Sequence, residues 1–140
     1  MNRTTERLYP FVIGIAAGTA WYLLKIEFPQ GKADTILSST LTFGAILTGF
    51  IATAKTILMS LKGSRLFRTL VSSGYIKDLV SFLRDSIITS LLFCIASFVG
   101  FFIGVHSCYF GAIWIGLAAM SLSAFWRVIG AFLTILAMDT

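Results

Sequence analysis

Four apolar stretches of twenty residues or more, parted only by short clusters of charge, constrain this chain more than any other feature. They lie at 8–28, 36–61, 86–105 and from 109 onward. About 20 helical residues cross the roughly 30 Å hydrocarbon core of a bilayer, so each stretch is long enough to span. A soluble domain would need a polar surface, and only 12% of these residues are charged, against about a quarter in an average soluble protein. The apolar excess therefore faces lipid. Four spans and their connections use up nearly all 140 residues, which leaves one transmembrane domain, 1–140, and no room for a catalytic one. The expected fold is all-α, an integral membrane four-helix bundle.

The first run is entered through Tyr9-Pro10 and left through Phe28-Pro29-Gln30-Gly31, which breaks a helix. Arg3 and Arg7 ahead of it, with Gly18-Thr19-Ala20 inside, also fit a signal peptide, but the run is read here as a retained span. The second run is interrupted only by Lys55. The fourth is apolar to Met138 except for Arg127, too long for one untilted span. Trp126-Arg127 has the composition of an interfacial anchor, giving a span over 109–129 and an apolar tail, 128–140, at or beyond the boundary.

Lys and Arg are distributed unevenly. Arg3, Arg7, Lys62, Arg65, Arg68, Lys77 and Arg84 fall on one side of the spans, whereas Lys25 and Lys32 fall on the other, offset by Glu27 and Asp34. The positive-inside rule then predicts both termini and the 62–85 connection in the cytoplasm of a bacterium, with the spans in its inner membrane. The net charge of +5 belongs to these span borders and not to one polar face, so no direct contact with nucleic acid is expected.

The 62–85 connection reads as a helical hairpin. After Ser72-Ser73-Gly74, Ile76, Leu79, Val80 and Leu83 recur at helical spacing opposite Lys77, Asp78, Ser81 and Arg84. Before the break, Leu66, Phe67 and Leu70 suggest that the second span continues past the bilayer. The apolar face of this stalk either covers the 128–138 tail or docks a cytosolic partner. In the docking version Arg65, Arg68, Tyr75, Ile76, Lys77, Leu79 and Leu83 make the contact.

Enzymatic chemistry has little to stand on. His106 is the only histidine, there is no GxSxG, P-loop or HExxH, and no set of His, Cys and carboxylate suits a metal or cofactor. Cys94 and Cys108, about 20 Å apart along one helix, are too distant to bridge within a chain. All six carboxylates lie outside or at the margins of the spans, unlike ion-coupled carriers that bind at mid-membrane. The chain is not expected to be an enzyme.

Small residues supply the positive signals. Gly14 and Gly18 in the first run, and Ala96, Gly100 and Gly104 in the third, sit four apart and allow helix backbones to approach closely, within one subunit or between subunits. In the second run Ser38, Thr42, Ala45, Gly49, Ala52 and Thr56 form a weakly polar stripe bordered by Lys55. That stripe is either a tight helix seam or the lining of a water-accessible pathway in a homo-oligomer, made positive by Lys55 and Arg127 near its inner mouth.

Leu37-Ser38-Ser39 at the start of the second run, Gly63-Ser64-Arg65 with Arg68, and Gly74-Tyr75 ahead of the third resemble the RexB family of phage-exclusion membrane proteins. The resemblance implies four spans and a channel that depolarises the inner membrane when a cytosolic sensor reports infection. Membrane subunits of the Kiwa and retron anti-phage systems are similar in architecture, and they pair with a cytosolic protein or complex. The expected function is thus a homo-oligomeric inner-membrane component of an anti-phage or abortive-infection system that changes membrane permeability. The alternatives are a non-conducting scaffold for a cytosolic effector, a small solute facilitator and a phage holin.

Overall fold

A computed structural model describes residues 3–27, 31–103 and 108–138, and every regular element among them is helical. The elements are α1 (Arg3–Leu24), α2 (Ala33–Ser60), α3 (Arg65–Ser72), α4 (Tyr75–Ile103) and α5 (Cys108–Met138). Four of them, all but α3, are long and apolar enough to cross a membrane. Gly104 and His106 lie outside the described residues.

The packing order differs from the chain order. α1 lies on α5, α5 on α4, and α4 on α2, so the first two spans in the sequence flank the other two. One apolar core fills the end of the bundle near α3. There Ile51, Ala54 and Leu58 of α2 meet Leu79, Phe82 and Leu83 of α4 and Val128, Ala131 and Ile135 of α5, with Leu70 of α3 closing the end. A smaller core of Leu37, Phe93 and Trp114 fills the opposite end.

Three boundaries depart from the sequence expectation. α1 starts at Arg3 and carries Pro10 in its interior, buried, where an entry point was expected. α2 stops at Ser60 and does not run on into the hairpin, because Gly63 turns the chain at φ 101° and Ser64 caps α3 by accepting from Phe67 N at 3.1 Å. Gly74, at φ 73° just past the end of α3, makes the second reversal, a conformation that Gly adopts without a Cβ clash. Third, residues 128–138 continue α5 without a break. The amphipathic 76–84 segment continues directly into the third span, making α4 one 29-residue helix.

At about 1.5 Å per residue α2, α4 and α5 measure roughly 42 to 47 Å, more than the hydrocarbon core. At the α3 end the 128–138 segment and the apolar face of the hairpin cover each other.

Candidate functional site

Two features of the fold are not explained by apolar packing: a buried arginine where three helices meet, and the uncovered flank of α2.

The arginine site starts from a proline. Pro10 has no N–H, so the carbonyl four residues earlier in α1, Glu6 O, loses its helical donor. Arg127 of α5 replaces it: Nη1 donates to Glu6 O at 2.8 Å and to Arg7 O at 3.4 Å. The guanidinium lies over the ring of Phe82 of α4, 4.2 Å from its centroid, and Nη2 is 3.7 Å from Asp85 Oδ2. Arg84, largely exposed, stands 3.6 Å from the other oxygen of Asp85. One residue thus ties α1, α4 and α5 together. Two further bonds support it, Tyr9 Oη to Ser123 O at 2.9 Å and Arg7 Nη2 to Ser81 Oγ at 2.8 Å.

This corrects the interfacial reading of Arg127. Trp126 is 73% exposed and faces outward, whereas Arg127 is 9% exposed, so the two do not act as a pair. Nor does Arg127 border the α2 stripe, since its charge is directed at Asp85 within the subunit. Glu6, Pro10 and Arg127 share no sequence motif, but a proline inside a helix, here two turns past the start of α1, is a readable sign of an orphaned carbonyl.

The flank of α2 is built differently. Leu37, Gly44, Leu47, Ile51, Ala54 and Leu58 are turned inward. The residue before each tends to be bulky, as at Phe43, Ile46, Phe50 and Ile57, and all four are exposed on one side of the helix. The residue after each tends to be small or polar. Ser38, Ala45, Ala52 and Lys55 follow this rule, Thr42, Gly49 and Thr56 lie beside them, and all seven are exposed. A Cβ added at Gly49 would meet nothing within 4 Å. Thr42 and Thr56 spend their hydroxyl protons on their own helix, at Ser38 O and Ala52 O, which leaves a smooth, weakly polar strip. Within one subunit the stripe is therefore not a seam. The seam of α2 with α4 runs instead through Gly44, whose missing side chain leaves room for Cys94 and Phe93.

The remaining small residues divide. Gly14 and Gly18 pack within the subunit, against α5: a Cβ on Gly18 would stand 2.9 Å from Ala112 O, and one on Gly14 would stand 2.9 Å from Gly116 O and collide with Met120. Their counterpart, Ala112-x-x-x-Gly116, has the same four-residue spacing and was legible in the sequence. Gly100 meets side chains, Phe110 and Leu37, and Ala96 is half-buried.

In the hairpin Arg65, Arg68 and Lys77 are exposed, while Tyr75 and Ile76 are half-buried. Leu79 and Leu83 are fully buried in the core that α5 completes. The apolar contact proposed for a cytosolic partner is thus taken by residues 128–138 of the same chain, and the basic residues remain on the surface.

No protein-family model, no curated protein and no solved structure matches this chain.

Proposed function

We propose that this chain is a homo-oligomeric component of the bacterial inner membrane that changes membrane permeability under the control of a cytosolic partner. The observation that carries this reading is the three-sided character of α2. One side is buried, one is bulky and apolar as lipid requires, and one is small, weakly polar and uncovered over most of its length. Small residues facing lipid forgo dispersion contacts that larger side chains would make, whereas the same strip against a second copy allows close approach or encloses a polar path. Lys55 on this strip gives each copy one positive charge, so a ring of them favours anions.

The surplus of Lys and Arg at the termini and the 62–85 segment supports a cytoplasmic location for both. There Arg65, Arg68 and Lys77 form an exposed basic surface suited to an acidic partner. The role in anti-phage defence rests on the resemblance of the Gly63-Ser64-Arg65 and Gly74-Tyr75 segments to RexB.

Expression of the chain with a voltage-sensitive dye tests the reading in cells. Wild type is expected to depolarise the membrane, and Lys55→Glu to suppress this by reversing the charge on the strip. Equal depolarisation by both would remove α2 from the path. Cysteine at Ala52 should also cross-link copies of the chain under mild oxidation, and cysteine at Ile46, on the bulky flank, should not. A non-conducting scaffold is the second reading, favoured by the exposure of the basic hairpin surface. It expects cross-linking at Ala52 without depolarisation.

A further inference from the structure

The inward face of α4 carries Phe82, Ser86, Ser90, Phe93 and Ser97 at helical spacing, and all five are buried. Hydroxyls buried elsewhere in the bundle have partners. Ser97 Oγ donates to Phe93 O at 3.0 Å and receives Trp114 Nε1 at 3.1 Å, Thr89 Oγ1 donates to Asp85 O, and Ser121 and Ser123 donate to Ala118 O and Ala119 O. Ser86 Oγ and Ser90 Oγ make no hydrogen bond, and neither do Arg127 Nε and Nη2, the latter standing 3.7 Å from Asp85 Oδ2. Unpaired polar atoms in an apolar interior are costly, and groups left so by a protein are ordinarily served by water.

Ser86 and Ser90 follow Asp85 along the buried face of α4, and Arg127 of α5 meets that face at Phe82 and Asp85. α4 and α5 are antiparallel, with Asp85 against Arg127 at one end and Ser97 against Trp114 at the other, which sets Ser90 level with Ser121. Asp85, 20% exposed at its side chain, stands at the entrance. Phe93 and Trp114, with ring centroids 5.7 Å apart, close the far side.

We infer that internal water occupies the α4–α5 seam from Arg127 to Ser90, entering beside Asp85 and stopped by the Phe93 and Trp114 rings. Water is the ligand that fits, because it accepts from the two guanidinium nitrogens and exchanges either role with the hydroxyls, beside a nearly balanced Arg127 and Asp85 pair. The wet segment covers about 8 Å of helical rise. It requires neither conduction nor assembly, so it stands or falls separately from the proposed function.

The test uses the full chain in membrane vesicles with Cys94→Ala and Cys108→Ala, and a membrane-impermeant methanethiosulfonate as the probe. Ser86→Cys and Ser90→Cys should react from the α3 side on the order of ten-fold faster than Ile88→Cys on the outer face of α4 or Ser97→Cys beyond the rings, since a thiol needs water to ionise. Rates at 86 and 90 no faster than at 88 would overturn the inference, and an equal rate at 97 would overturn the aromatic closure. Ser90→Ala gives an independent reading from thermal unfolding in detergent. Loss of a water-bonded hydroxyl leaves the melting temperature unchanged or lower, whereas a rise would mean that the hydroxyl was dry, against the inference.

Discussion

Arg127→Leu should destabilise the purified protein by about 3–5 kcal/mol, the range for breaking a buried charge pair by removing one partner. The substitution keeps most of the volume of the side chain but strands three groups at once. Glu6 O loses the donor that replaces the missing Pro10 N–H, Asp85 keeps only the solvent-exposed Arg84, and the Phe82 ring loses its cation. Arg127→Lys should recover part of the loss, because an ammonium restores the charge but cannot reach α1 and Asp85 while lying flat on Phe82. Pro10→Ala is the informative partner. Alanine at that position returns an N–H to Glu6 O, so Arg127→Leu should cost less on the Pro10→Ala background, with a coupling of about 0.5–3 kcal/mol in the double-mutant cycle. Thermal unfolding followed by circular dichroism measures all four proteins. Additive effects would show that Pro10 and Arg127 are not linked through that carbonyl.

The second large effect is expected at Gly18. A Cβ there stands 2.9 Å from a backbone oxygen, Ala112 O, which has no rotamer through which to yield. Gly18→Leu must therefore push α1 away from α5. A loss at or above the top of the usual overpacking range of about 1–3 kcal/mol is expected, together with loss of the Arg127 bond to α1. Gly49→Leu is the matched control on α2. Nothing lies within 4 Å of its Cβ, so the helical content and fold of the subunit should survive, while the proposed homo-oligomer, sought by native mass spectrometry, should change or dissociate. Equal destabilisation by both substitutions would contradict the assignment of one glycine to the interior and the other to the outer surface.

The long helices were legible because lipid imposes a crude requirement: about 20 apolar residues, with charges expelled to the ends. Lys62, Gly63 and Gly74 marked the hairpin for the same reason. What periodicity could not decide was which of two small-residue patterns faces inward. Gly14 and Gly18 face α5 because Ala112 and Gly116 provide a matching groove 94 or more residues away, whereas the equally regular strip from Ser38 to Thr56 has no such counterpart among the described residues. The contacts of Arg127 were beyond a linear reading for a similar reason. Its partners come from two other helices, and one of them is a main-chain carbonyl exposed by a proline. Leu79 and Leu83 had two plausible covers, a foreign protein or the 128–138 segment, and only the three-dimensional packing distinguishes between them.

Ion flux through liposomes containing the purified chain is the most direct test of a permeability function. Wild-type protein is expected to dissipate an imposed chloride gradient, Lys55→Glu to suppress that dissipation, and Gly49→Leu to abolish flux while its circular dichroism stays that of the wild type. Liposomes that remain ion-tight with correctly inserted, oligomeric wild-type protein would contradict conduction by the chain alone, leaving α2 as a subunit seam or as a path closed without its cytosolic partner.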